Sequence, residues 1–123
     1  WRATIGASNG GNIALYLAVA HPRLFGKVGV QSSNVQPSIL EALTNGPRLD
    51  LKFYADIGKY DIPVLIERVG HLKEILKQKK YLFEFREINE GHSWGNWSAH
   101  LSDILEYFFP FPGTNTGSRS EDR

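Results

Sequence analysis

The 123-residue sequence contains no cysteine and no methionine. Without cysteine the chain has no disulfide scaffold, thiolate zinc site, iron–sulfur cluster or cysteine nucleophile. The same absence leaves the cellular location unknown, cytoplasmic or exported, because a well-cored domain needs no disulfide in either place. The sequence begins at Trp1, within a segment that already has the pattern of a strand, so we expect the chain to be the C-terminal part of a longer protein.

The sequence also has little net charge and no long apolar run. Fourteen Lys and Arg oppose 13 Asp and Glu, a net charge of +1. This balance creates no overall field to attract nucleic acid or an anionic membrane, so we expect neither as a partner. No apolar run approaches the roughly 20 residues of a membrane span, and the start does not resemble a signal peptide. The 41% of hydrophobic residues is instead typical of a folded domain.

Hydrophobic periodicity predicts strands that alternate with helices. Strands are predicted at 1–5, 25–31, 49–55 and 81–88, and helices at 12–20, 38–43, 63–80 and 94–109. We expect the first helix to be buried on most sides. The alternation predicts an α/β fold with three αβα layers and a mostly parallel sheet. Residues 1–111 are expected to form one ordered unit, and residues 112–123 a disordered tail.

The first candidate for chemistry is Ser8 in the segment 6–10, which matches G-x-S-x-G. A predicted strand precedes it and an apolar helix follows it, which is the setting of a serine turn at the carboxyl edge of a sheet. The N-terminal amides of that helix would face negative charge that develops beside Ser8. The pattern therefore predicts a nucleophilic serine.

A serine hydroxyl needs a base, and four histidines could supply it. His92 is favoured because it lies in a Gly-flanked loop directly after a strand, at the edge where Ser8 emerges. His21 precedes a proline at a helix end and is expected to have a capping or packing role. His71 and His100 fall within amphipathic helices and are expected to be ordinary surface or half-buried side chains.

The acid of a triad on this type of sheet comes between the serine and the histidine in the chain. Asp61 is favoured, since it lies far enough out in the predicted loop 56–61 to reach His92. Asp56, Glu67 or no acid at all remain open, and Asp61 could instead only cap the next helix.

Two tryptophans follow His92 at helical spacing. Trp94 and Trp97 are expected to pack the last helix onto the sheet, with the lining of a substrate pocket as the alternative and Trp94 as its better candidate. His92 with Glu90 alone is too little for a metal site, and the glycines of 6–11 lack the Lys-Ser/Thr of a phosphate-binding loop. We therefore predict no metal and no cofactor.

Four ordered motifs carry a family resemblance: residues 2–12, 20–25, 54–61 and 90–97. Together they resemble the C-terminal half of the Putative esterase family of α/β-hydrolases. This family includes enterochelin (siderophore) esterases, feruloyl esterases, S-formylglutathione hydrolase and the antigen 85 mycolyltransferases. The segment 90–97 is most similar to the enterochelin-esterase-like branch.

The resemblance implies roles for single residues. It implies Ser8 as nucleophile, His92 as base, Asp61 as acid, and the backbone N–H of Asn9 as one oxyanion donor, although some siderophore esterases work with a Ser–His pair. The implied activity is hydrolysis of a small-molecule ester through an acyl-enzyme. An acyltransferase and an inactive binding or scaffold module are the alternatives.

The resemblance also implies what lies outside the chain. In this family the second oxyanion donor and the earlier strands precede the serine turn, so the isolated chain is expected to be a less efficient or inactive enzyme. An exposed sheet edge and one exposed side of the first helix would then favour self-association or pairing with the N-terminal half.

Overall fold

The computed structural model describes residues 2–110, except for the side chain of Trp94. Strands and helices alternate along the chain: β1 (Ala3–Ala7), α1 (Asn9–Ala20), β2 (Lys27–Gln31), α2 (Pro37–Asn45), β3 (Lys52–Gly58), α3 (Pro63–Gln78), β4 (Leu82–Ile88) and α4 (Trp94–Phe108). The predicted tail 112–123 lies outside the described residues.

The four strands form one parallel sheet in the order β1-β2-β3-β4. Because each crossover moves in the same direction and crossovers are right-handed, α1, α2 and α3 lie on one face. Helix α4 follows the last strand and covers the other face. The α/β fold with three αβα layers is therefore confirmed.

Successive side chains of each strand point to opposite faces of the sheet and pack into two separate hydrophobic cores. The larger core lies under α1 to α3 and takes Val28, Val30, Phe53, Ala55, Ile57 and Phe83 from the sheet. The smaller core lies under α4 and joins Tyr54 to Ile104, Tyr107 and Phe108. At Gly29 a Cβ atom would come within 2.8 Å of Ile104, so the glycine allows α4 to approach β2 closely.

Helix α1 differs from its prediction in two ways. It begins at Asn9, directly after Ser8, whereas the Gly pair suggested a later start at residue 12. It is also not buried on most sides, since Ile13 is 59% and Tyr16 is 62% exposed. Helix α1 packs on β1, and β1 has a neighbour on one side only among the described strands. No described strand or helix therefore covers the outer face of α1. This matches the expectation of one exposed helix side.

Strand β3 lies three residues later than predicted, from Lys52 to Gly58 instead of 49–55. It continues to Gly58, so Asp56 belongs to the strand and not to the following loop. Asp and Gly are depleted in strands, which is why the sequence suggested an end at residue 55. The pairing of Asp56, Ile57 and Gly58 with β4 extends the strand despite that preference.

Within residues 2–110, no helix has both the length and the apolar content needed to cross a membrane.

Candidate active site

Ser8 occupies a sharp turn between β1 and α1. Its backbone has φ 56° and ψ −123°, a conformation that residues other than glycine rarely adopt and that costs about 1–3 kcal/mol. Three backbone hydrogen bonds hold it there: Ser8 N–H donates to Gln31 O (2.9 Å), and Ser8 O accepts from Gly11 N–H (3.1 Å) and Asn34 N–H (3.0 Å). The turn is therefore fixed by both β2 and the loop after it.

The glycines around Ser8 have different roles. A Cβ atom on Gly6 would overlap the Gly10 carbonyl, and one on Gly11 would overlap the Ser33 hydroxyl. Gly10 itself has open space around its Cα. The first glycine of G-x-S-x-G thus permits α1 to fold back onto β1, while the last one is not required by packing.

His92 lies between Ser8 and Asp61, in the loop between β4 and α4. Its Nε2 is 3.0 Å from Ser8 Oγ, and its Nδ1 is 2.8 Å from Asp61 Oδ1. The tautomer with its proton on Nδ1 satisfies both contacts, because Nδ1–H donates to the carboxylate and Nε2 accepts from the hydroxyl. This arrangement can take a proton from Ser8 and stabilise the resulting imidazolium.

The carboxylate of Asp61 comes from the loop between β3 and α3. Its side chain is fully buried, and Oδ1 also accepts the Ile62 N–H at 2.8 Å. The alternative that Asp61 only caps α3 therefore does not describe all its contacts, since the same oxygen meets His92. Glu67 is exposed on α3 and has no contact with His92 among the described residues.

The loop that carries His92 is anchored on both sides. A Cβ atom on Gly58 would overlap the Glu90 carbonyl, so the end of β3 and this loop lie in close contact. Asn96 Nδ2 donates to Gly91 O (3.1 Å), and Tyr60 N–H donates to Glu90 O (3.2 Å). These contacts place the imidazole before any substrate arrives.

Trp97 packs beside the imidazole. It is 7% exposed, and its ring meets His92 edge to face, with centroids 4.7 Å apart and planes at 86°. Trp97 is thus buried, and its ring contacts His92, while its predicted packing of the last helix onto the sheet stays a prediction. The side chain of Trp94 lies outside the described part of the chain, and its role in a substrate pocket stays a prediction.

The other three histidines lie away from Ser8. His21 is the C-cap of α1, as expected. His71 is exposed on α3. His100 is half-buried and pairs with Glu90 and Asp103, each at 3.2 Å. Across residues 2–110, no group of three or more His, Asp or Glu side chains could hold a metal ion.

Asp56 is fully buried under α4 and not beside His92, where the acid of a triad would have to lie. Tyr54 donates a hydrogen bond to its Oδ2 (3.1 Å). Burial raises the pKa of Asp56 to about 6, against the opposing effect of hydrogen bonds from Tyr54 and Gln31 and of the positive charge of Arg86. Asp56 has no contact with His92 among the described residues, so the structure does not bring it to the site.

Burial of the charged form of Asp56 lowers the free energy of unfolding, and the raised pKa predicts how this destabilisation depends on pH. The folded protein binds the proton of the Asp56 carboxyl more tightly than the unfolded chain does. The destabilisation is therefore absent below about pH 4, grows between about pH 4 and pH 6, and is constant above that range. We expect Asp56→Asn to raise the free energy of unfolding by about 1–3 kcal/mol at pH 8 relative to its effect at pH 4. Urea unfolding at both pH values measures this difference. The exposed acid variant Glu67→Gln should show little of it, and an Asp56→Asn effect independent of pH would contradict the prediction.

Asn9 is the first residue of α1. Its N–H precedes the helical hydrogen-bond pattern, where no earlier carbonyl of the helix can accept it, and the positive end of the helix dipole lies there. This backbone donor therefore has no acceptor within α1, and its role as an oxyanion donor stays a prediction.

Sequence reasoning missed three polar residues around this turn. Arg68 Nη1 donates to Asn34 Oδ1 (2.6 Å), and Asn34 Nδ2 donates to Asn9 Oδ1 (3.4 Å). Gln31 Nε2 donates to Trp97 O (2.9 Å). Gln31 and Asn34 are the ends of the short polar segment 31–34, and Arg68 lies on α3. None of the three belongs to a motif that marks it as part of the site. Asn96, in contrast, lies within the segment 90–97 and could have been found there.

Comparison with known proteins gives a family match. The family model described as "Putative esterase" matches residues 1–108. Uncharacterized protein YjcH of Bacillus subtilis (strain 168) is 27% identical over 115 residues, which cover 85% of this chain and 48% of that protein. The chain thus spans about half the length of this relative.

Two solved structures are similar in fold. Enterochelin esterase from Shigella flexneri superposes with a TM-score of 0.71 and 25% identity, over 84% of this chain and 29% of that one. A ferulic acid esterase superposes with a TM-score of 0.73 and 19% identity, over 84% of this chain and 49% of that one.

A parallel sheet with a serine turn at its carboxyl edge and helices on both faces defines the class of α/β-hydrolase folds. Within that class, the chain belongs to the Putative esterase family.

Proposed function

We propose that this chain carries the catalytic residues of a serine carboxylic-ester hydrolase of the enterochelin-esterase-like type. The observation that supports this most is the position of His92, with Ser8 Oγ at 3.0 Å on one side and Asp61 Oδ1 at 2.8 Å on the other. Family membership and the similarity to an enterochelin esterase support the ester as substrate.

In the proposed first half-reaction, His92 Nε2 takes the Ser8 hydroxyl proton as Oγ attacks the ester carbonyl carbon. Asp61 holds the imidazole and stabilises its positive charge. The Asn9 N–H donates to the oxyanion of the tetrahedral intermediate. His92 then returns the proton to the leaving alcohol as the ester C–O bond breaks, which leaves an acyl-Ser8.

In the second half-reaction His92 takes a proton from water, and the oxygen of that water attacks the acyl carbonyl. Collapse of this intermediate breaks the Ser8 Oγ–C bond, and His92 returns the proton to Ser8. The products are a carboxylic acid and the free serine.

The chain spans about half of its relative, so the substrate and the remaining parts of the site are also proposals. A second oxyanion donor and cover for Ile13 and Tyr16 would come from a segment that pairs at the outer edge of β1, or from a second copy of the chain. Loss of one oxyanion donor typically lowers turnover about 10²–10³-fold, which would make the isolated chain a slow enzyme.

A fluorophosphonate probe tests the proposal, because only an activated hydroxyl reacts with it. We expect covalent labelling on Ser8, located by peptide mass spectrometry, and protection by a slowly hydrolysed ester. Absence of labelling in folded protein would favour a binding or scaffold module. Product analysis with p-nitrophenyl acetate and an added alcohol distinguishes a hydrolase from an acyltransferase, since an acyltransferase would form the new ester in preference to acetate.

A further inference from the structure

Gln31 is the last residue of β2 and lies between the two strands that precede Ser8 and Asp61. Its neighbours in the sheet are Ala7 on β1 and Asp56 on β3. Its main-chain oxygen accepts the Ser8 N–H at 2.9 Å. Gln31 therefore holds the serine turn through its backbone, whatever its side chain does.

The side chain of Gln31 reaches the opposite part of the site. It is only 4% exposed, and its Nε2 donates to Trp97 O at 2.9 Å in the first turn of α4. The ring of Trp97 packs edge to face against His92. One residue thus contacts the Ser8 turn through its backbone and the support of His92 through its amide.

The backbone of α4 does not require the contact with the Gln31 amide. In an α-helix the carbonyl of residue 97 already accepts from the N–H of residue 101, so α4 does not need this extra donor. A methionine would fill a similar volume but would donate neither to Trp97 O nor to the buried carboxylate of Asp56, which Gln31 also contacts. Asp56→Asn measures the second of these contacts by itself. What the amide adds is direction, because a hydrogen bond fixes the first turn of α4 relative to β2.

We propose that Gln31 is a positioning residue that sets the separation of Ser8 Oγ from His92 Nε2, through the Ser8 backbone and Trp97. This inference rests on the proposed function, since the separation affects a rate only if His92 takes the Ser8 proton. A misplacement of about 1 Å at a reacting group can lower a rate about 10²-fold.

The test compares Gln31→Met with Gln78→Met, an exposed glutamine at the end of α3. For Gln31→Met we expect kcat for p-nitrophenyl acetate to fall about 10- to 100-fold with KM within about twofold, while Gln78→Met stays at the wild-type kcat. Circular dichroism confirms that both are folded. A folded Gln31→Met with unchanged kcat, or with a change in KM alone, would overturn the proposal.

A second variant removes the next contact of the same path, the one between the Trp97 ring and His92. Trp97→Leu keeps the backbone carbonyl but removes the ring, and we expect the same selective fall in kcat. Because both changes act through one path, the double variant should lose no more than the larger single loss. If Gln31→Met does not fold, Trp97→Leu decides, and an unchanged kcat there contradicts the proposal.

A spectroscopic readout separates this inference from the proposed function. In ¹⁵N-labelled protein, the Nε2 resonance of His92 reports its hydrogen bond to Ser8. We expect Gln31→Met to shift this resonance and Gln78→Met to leave it in place. If the wild-type protein neither hydrolyses the ester nor reacts with the fluorophosphonate, the proposed function fails, but the shift still tests the positioning. An unmoved resonance in folded Gln31→Met would reject it.

Discussion

Replacing Ser8 with alanine is expected to remove ester hydrolysis, with a fall in kcat of at least about 10³-fold. Alanine keeps the Cβ atom of serine, so it meets the same backbone at φ 56° without new strain or a new cavity. What it removes is the hydroxyl that lies 3.0 Å from His92 Nε2. Without that oxygen no acyl-enzyme forms, and only direct attack by water remains. Initial rates with p-nitrophenyl acetate measure the loss.

The matched control for Ser8→Ala is Ser38→Ala, in an exposed position on α2. It removes the same atom and should change neither the rate nor the fluorophosphonate labelling. Both variants should give the wild-type circular dichroism spectrum. A Ser8→Ala protein that still hydrolyses the ester at the wild-type rate would exclude the acyl-enzyme mechanism.

The order of elements and two of the site positions followed from the sequence because they depend on local signals. Apolar periodicity marked the helices, and α2 and α3 each begin at a proline, Pro37 and Pro63, a residue that favours the first turn of a helix. Ser8 and His92 each follow a strand at a Gly-containing turn, and parallel strands bring such turns to the same edge. These features need no knowledge of which helix covers which face.

The features that sequence analysis did not predict depend on tertiary contacts. Asp56 is an acid in a strand, and its burial follows from α4 and from Tyr54, which is two positions earlier on the same face. The exposure of Ile13 and Tyr16 follows from the position of β1 at the edge of the sheet. Gln31 meets Trp97 across 66 positions of sequence, a separation at which periodicity carries no information.

Replacing Asp61 is expected to give the second large effect, and two variants test it. Asp61→Ala removes both the acceptor for His92 Nδ1–H and the acceptor for Ile62 N–H, so we expect kcat to fall about 10³–10⁴-fold. Asp61→Asn can keep an oxygen at the position of Oδ1, where it accepts from both donors. The amide NH2 can instead donate to His92 Nδ1, which stabilises the tautomer that cannot take the Ser8 proton, and we expect a fall of about 10⁴-fold. Steady-state kinetics of both variants measures the two losses.

Two other acids serve as comparisons for Asp61. Glu67→Gln, an exposed change on α3, should leave kcat at the wild-type value. Asp56→Asn should lower it less than about tenfold, because its carboxylate contacts Tyr54 and does not reach His92 among the described residues. A larger loss for Asp56→Asn than for Asp61→Asn would reassign the acid. A loss below about tenfold for Asp61→Ala would instead indicate a Ser–His pair, in which the buried contacts of Asp61 serve only to hold the loop before α3.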